Sequence, residues 1–250
     1  MIIAIDGPAA SGKSSTASGV ASRLGFRHID TGAMYRAITL KIINDKIDLT
    51  KLDELEAILS DLDLKVDFSN INQELYLDGK LLGDEIRSPE VTKMVADVSA
   101  LAEDRAHLLG IQRDVAKLND VVLEGRDIGT VVFPNAEIKI YMIADSRVRA
   151  ERRQKDFAKQ GVEKSLDELE KEILARDDHN AKRKLAPMRA AEDAVTLDTT
   201  DISIDEQIEF IVSRVETAKT NGGNLMTKKQ TEDAKVEEVE EATEETAETQ

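Results

Sequence analysis

The sequence predicts a three-layer α/β fold, a parallel sheet with helices on both faces, carrying a small antiparallel insert and an acidic C-terminal tail. Three observations predict it. Short β-branched apolar runs alternate with segments of helical period, one central stretch changes to a period of two, and the acidic charge is gathered at the C-terminal end.

In chain order, Ile2 to Ile5 reads as a strand ending in Asp6-Gly7, followed by a glycine-bearing loop and a helix over Ser14 to Leu24. Gly25 stands where a helix C-cap is expected, and His28-Ile29-Asp30 then leads through Thr31-Gly32 into a helix over Ala33 to Ile43. Further apolar strands are read at Val121 to Leu123 and Ile138 to Ile143, with a weaker one at Val195 to Leu197. Strands separated by helices in this way form parallel sheets. Between them Leu64 to Phe68, Glu74 to Leu77 and Lys80 to Leu82 alternate or nearly so, with Asp78-Gly79 joining the last two. That is a hairpin signature, and it defines an insert of roughly residues 60–90. After Val215 the order signals fade. Residues 219–250 read as a disordered, solvated tail, leaving a domain of residues 1–218.

Length and composition narrow the function. A chain of 250 residues with 41% apolar content suits one compact enzyme. With no cysteine, neither disulfides nor thiolate metal sites hold the fold, and redox chemistry is not expected. No basic leader and no 18-residue apolar run is present, so a soluble cytoplasmic protein without membrane contact is expected. Of the net charge of −16, residues 231–250 hold nine acids and one lysine, a net of −8, which leaves −8 on residues 1–230. An acidic body argues against nucleic acid as a partner.

Gly7-Pro8-Ala9-Ala10-Ser11-Gly12-Lys13-Ser14 matches G-x-x-x-x-G-K-[ST] between a predicted strand and a predicted helix. Its glycines let backbone N–H groups turn around a β-phosphate, and the following helix adds unpaired N–H groups and a positive dipole end. Lys13 supplies a cation to the β and γ oxygens, Ser14 offers a hydroxyl to Mg²⁺, and Ser15 follows in the same turn. The pattern predicts binding of ATP or GTP. It leaves open whether the nucleotide is a substrate or a switch, so the second site must decide.

Asp30-Thr31-Gly32-Ala33-Met34-Tyr35-Arg36 lies at a strand end, where open α/β sheets bind ligands. Thr31 and the Gly32 backbone suit a phosphate, Tyr35 a base and Arg36 a bidentate phosphate contact. An N-capped helix with an exposed arginine would leave the same residues. Glu124-Gly125-Arg126-Asp127-Ile128-Gly129-Thr130 ends another strand on the same edge, and an Arg-Asp pair there is more than a surface ion pair.

At these residues the chain resembles the bacterial cytidylate kinases, the (d)CMP branch of the nucleoside monophosphate kinases. The resemblance spans roughly residues 1–215 and is carried by I-D-G-P-A-A-S-G-K-S-S, D-T-G-A-M-Y-R, E-G-R-D-I-G-T-V-V-F-P and A-R-D-D-H-N-A-K-R-K-L-A-P. It implies a P-loop fold, the insert as a monophosphate-binding subdomain, and a helical lid over about residues 145–185. It also implies ATP and Mg²⁺ as cofactors and CMP and dCMP as substrates of a monomer, with UMP or AMP, or a non-catalytic switch, as the rival readings.

Carried over, the resemblance sets Thr31, Gly32, Tyr35, Arg36, Arg105, Arg126 and Asp127 around the acceptor. Arg36 and Arg126 would grip its phosphate and Asp127 would read the cytosine amino group, while Arg176 and Arg183 would face the ribose and the transferring phosphates. Arg149, Arg152 and Arg153 would approach ATP from the lid, and Arg147 is expected in solvent. The chain departs from the family at Ala96, where a serine usually touches the base and Ser99 is the nearby substitute, and at Asn180, where an aspartate is usual. His28, His107 and His179 receive no role.

Overall fold

The computed structural model describes residues 1–67, 70–117, 119–159 and 161–220, in one unit of Met1–Ile211 and a second that begins at Val212. Strand β1 (Ile2–Asp6) is buried from Ile3 onward, as expected of a near-continuous apolar run covered on both faces. Helix α1 (Lys13–Leu24) ends at Gly25, whose left-handed backbone (φ 71°) donates its N–H to the Ala21 carbonyl. Strand β2 (Arg27–Asp30) runs directly into α2 (Thr31–Asn44). This helix begins two residues earlier than the sequence predicts because the Asp30 carboxylate accepts the Ala33 N–H at 2.9 Å, leaving Thr31 and Gly32 in its first turn.

Helix α3 (Leu52–Ser60) leads to the insert, where β3 (Leu64–Asp67), β4 (Glu74–Leu77) and β5 (Lys80–Leu81) form an antiparallel sheet. Leu77 pairs with Lys80, so Asp78-Gly79 is a two-residue turn; its φ values of 50° and 76° are those of the type I′ turn that matches strand twist. The predicted Phe68 end of the first strand lies outside the described residues. A short 3₁₀ turn, Asp84–Arg87, then joins the insert to α4 (Pro89–Val98) and α5 (Ala102–Ala116).

Strands β6 (Val121–Gly125), β7 (Ile138–Ile143) and β8 (Val195–Asp198) complete a five-stranded parallel sheet in the order β2-β6-β1-β7-β8. Ala4, Ile29, Ile38, Leu55, Leu108, Leu123 and Ile128 belong to one core that joins sheet, helices and insert. Between β7 and β8 stand α6 (Ser146–Lys159) and α7 (Leu166–Lys182), which share a small core of Ala150, Phe157, Leu169 and Ile173. Ser165 and Glu168 cap α7 reciprocally, fixing where it starts.

In the second unit, residues 212–220 are helical, and the Thr217 and Thr220 hydroxyls donate back to the Ser213 and Glu216 carbonyls. The irregular chain expected from residue 219 therefore does not begin there, since Lys219 and Thr220 are still helical; the tail from 221 onward lies outside the described residues. Among the described residues no helix is long and apolar enough to cross a membrane.

Candidate active site

The C-terminal ends of β1, β2 and β6 bring Asp6, Asp30 and Glu124 to one sheet edge, because register pairs Ile5 with Glu124 and Asp30 with Glu124 across neighbouring strands. The glycine-rich loop leaves this edge. Only glycine fits at position 7, where φ is 146° and a Cβ would stand 2.1 Å from the Met142 carbonyl oxygen. Ala10 also has positive φ, at 56°. Lys13 folds back so that Nζ donates to the Pro8 carbonyl at 2.6 Å and to the Ser11 hydroxyl at 3.3 Å. Burial, followed by the nearby Arg126, holds its pKa well below the ordinary lysine value. The carboxylates of Glu124, Asp6 and Asp177 oppose that shift without overcoming it.

The Ser14 hydroxyl donates to Glu124 Oε2 at 2.8 Å, and Glu124 Oε1 meets His28 Nε2 at 3.1 Å. His28 in turn meets the Asn72 amide oxygen of the insert at 2.9 Å. Glu124 and His28, neither assigned from sequence, thus connect the loop to the insert. Their signal in the sequence is weak, since Glu124 is a single polar residue in an apolar strand and His28 shares a strand of four with other polar residues. Asp6 was missed too: its carboxylate accepts the Ile128 and Gly129 N–H groups at 2.8 and 2.7 Å. Burial, partly offset by those two donors, raises its pKa to about 6.

Elsewhere at this edge the guanidinium groups converge. Burial first, then Arg87, Arg126 and Arg153, lowers the pKa of Arg36 against the pull of Asp30, and burial with Arg87 of the insert lowers that of Arg153 against the pull of Asp156. Arg176 is pushed down to about 9, first by burial and then by Arg126, Arg36 and Arg153, and its Nε has no hydrogen-bond partner. Arg87, which the sequence reading passed over, pairs with Asp30 at 3.0 Å. So many half-buried cations with so few carboxylates form a cradle suited to phosphate oxygens.

A second group lies beside it. Asp127 is clamped by Arg105 on one oxygen and by Arg183 at 3.0 Å on the other. Arg105 also lies 5.8 Å from the Tyr35 ring centroid and donates to the Ser99 carbonyl at 3.2 Å. It is the Ser99 carbonyl that meets Arg105; the hydroxyl donates to Ala96 O at 3.1 Å. Burial raises the Tyr35 phenol to about 12, so it stays neutral. Thr31 donates to the Glu124 carbonyl at 2.7 Å, and a Cβ on neighbouring Gly125 would stand 2.9 Å from its hydroxyl.

Residues 3–217 match the family model described as cytidylate kinase. The chain belongs to the cytidylate kinase family. A cytidylate kinase from Alkaliphilus oremlandii is 43% identical over 84% of this chain and 95% of its own length. Another, from Thermotoga maritima, is 41% identical over 85% of this chain and 96% of its own length.

In this cytidylate kinase family chain the arginines of α6 separate. Arg153 stacks on Phe157 with 4.4 Å between the guanidinium and the ring centroid, and belongs to the cationic cluster. Arg149 is buried beneath the loop, donating from Nε to the Ala144 carbonyl and from Nη1 to the Ala9 carbonyl and Asp177. Arg152 is bound to Thr199, whose hydroxyl lies 2.9 Å from the Ser11 carbonyl. Arg147 is half exposed, as expected, and paired with Asp167 and Glu170 on α7. Asn180 is 4% exposed, while Asp178 points outward to Lys182 at 2.8 Å. Arg183 caps α7 and turns back to Asp127, so it reaches the site although it lies past the helix.

Proposed function

We propose that the protein transfers the terminal phosphoryl group of ATP to CMP and dCMP, yielding ADP with CDP or dCDP. The observation that carries this reading is the cluster of Arg36, Arg126, Arg153 and Arg176, half-buried together with a deficit of negative charge beside a complete phosphate-binding loop. Two phosphate-bearing ligands supply that charge, one on the loop and one on the arginines.

On the donor side, the backbone of Gly7, Pro8, Ala9, Ala10, Ser11, Gly12, Ser14 and Ser15 surrounds the β-phosphate, and Lys13 leaves Pro8 for its oxygens. Arg149 and Arg152 brace the loop from behind, and Arg153 approaches from the lid. The hydroxyl of Ser14 and the carboxylate of Glu124, 2.8 Å apart, are an all-oxygen set suited to Mg²⁺. Ser14 and Glu124 would hold Mg²⁺, which would offset the negative charge of the donor phosphates.

On the acceptor side, Arg36, Arg126 and Arg176 hold the monophosphate with Thr31 and Gly32, and Asp127 accepts from the cytosine amino group with Arg105 and Arg183 orienting it. Tyr35 covers the base. Asn180 and Arg183 lie toward the sugar. Transfer requires no general base, because the attacking acceptor oxygen already belongs to an ionised phosphate; aligning the two ligands and offsetting charge is the protein's contribution. Every residue in this scheme comes from one chain, and we read the working unit as a monomer.

The test is ADP release from ATP with CMP, dCMP, UMP, AMP and dTMP offered in turn. Turnover confined to CMP and dCMP is expected. Equal turnover with AMP or UMP would reject the acceptor assignment, and ADP release independent of any acceptor would reject the kinase reading.

A further inference from the structure

Asp177, on the lid helix α7, accepts the backbone N–H of Ala9 on one carboxylate oxygen, at 3.1 Å, and is ion-paired with Arg149 on the other. Arg149 donates to the Ala9 carbonyl at 3.2 Å, so the ring closes with both backbone polar groups of one loop residue held by two side chains from different lid helices. Both side chains are largely withdrawn from solvent, at 7% for Arg149 and 14% for Asp177. We propose that Asp177 is a positioning residue for the donor site, fixing the crest of the phosphate-binding loop through the backbone of Ala9 and holding Ala10 in its left-handed conformation.

The argument is one of peptide planes. The Ala9 N–H lies in the plane that also contains the Pro8 carbonyl, and the Ala9 carbonyl lies in the plane that leads into Ala10. Fixing both planes fixes the backbone on either side of Ala9 and sets the angle from which Ala10 enters. Ala10 has φ 56°, a conformation that disfavours residues with a Cβ, so the loop relaxes away from it unless neighbouring contacts over-determine it. At present the Pro8–Ala9 plane is held from both sides, by Asp177 on its N–H and by Lys13 on its carbonyl at 2.6 Å. Lys13 must leave that carbonyl to reach a phosphate. From that moment the plane is held by Asp177 on its N–H and by the Ser11 hydroxyl on its carbonyl at 3.1 Å, and the loop depends more on Asp177, its holder from outside the loop, once the donor is bound.

This rests on ATP being the donor at the loop; if that reading is wrong, the unaltered protein will show no ATP-dependent transfer, which is distinct from every outcome below. The experiment is a double-mutant cycle of Asp177→Ala with Ala10→Gly, since glycine adopts positive φ without a Cβ penalty. We expect Asp177→Ala to lower kcat/KM for ATP at least tenfold in the unaltered loop and less than threefold in the Ala10→Gly background. The KM for CMP at saturating ATP should change by less than twofold. Asp177→Asn, which keeps an oxygen for the Ala9 N–H, should lose less than Asp177→Ala, and it carries the same comparison should the alanine variant fail to fold. Equal losses in both loop backgrounds would overturn the proposal. So would a rise in the KM for CMP matching that for ATP, because Asp177 would then be acting through its neighbour Arg176.

Discussion

Asp104 on α5 is fully buried, and neither carboxylate oxygen has a hydrogen-bond partner. Burial first, and Glu103 second, raises its pKa to about 7 from an ordinary 3.8. Because the folded value lies above the unfolded one, the stability that the neutral acid supports is full below about pH 4 and is lost as pH rises through about 7. The loss has an upper bound of about 4 kcal/mol at 1.36 kcal/mol per unit. Asp104→Leu is therefore expected to raise the melting temperature by several degrees at pH 8 and to make little difference at pH 4, a contrast that thermal unfolding at the two pH values measures. A uniform gain at both would show that packing, not charge, is responsible. Lys13 and the arginines make the opposite case, where removal costs function. Lys13→Met should abolish transfer while leaving the far-ultraviolet spectrum unchanged, since among the described residues Nζ bonds to Pro8 and Ser11 of its own loop. Arg126→Ala should lower kcat/KM by about 100-fold or more, and Arg147→Ala by less than about threefold, as expected of an exposed ion pair.

Among elements, those built from adjacent residues were legible in the sequence: strand β1, its loop and α1 follow from one apolar run and one glycine pattern, and the β4–β5 turn follows from Asp78-Gly79 alone. The site residues that escaped notice, Asp6, Glu124, Asp177 and Arg87, act through partners 57 to 168 positions away, and no local period marks them. Helix α7 shows both cases at once. Arg176 and Asn180 are one turn apart and both point inward, as helical spacing requires, whereas Arg183 joins them only because the chain bends back toward Asp127 after the helix. Asn180 offers one neutral acceptor where an aspartate would offer a charged one to the sugar hydroxyls and arginines. Asn180→Asp is expected to raise kcat/KM for CMP over dCMP by about fivefold, equivalent to about 1 kcal/mol. An unchanged or lower ratio would mean that position 180 does not read the sugar.

For the molecule as a whole, the ligand-free protein holds its arginines together against their mutual repulsion, and stability is spent on readiness for phosphate. Arg176→Met should illustrate this directly: a higher melting temperature without ligands, by a few degrees, together with loss of transfer and a smaller thermal shift on adding CMP. If the variant melts lower than the parent, the cluster is not strained.

The contact between the insert and β2 bears on the same scale. Strand β2 is an edge of the parallel sheet, and an open edge is a template for another chain. Here His28 donates its backbone N–H to Ile71 and accepts from Gln73 at its carbonyl, in a short parallel bridge to Asn72. The insert thus covers that edge of the sheet and guards it against pairing with another chain.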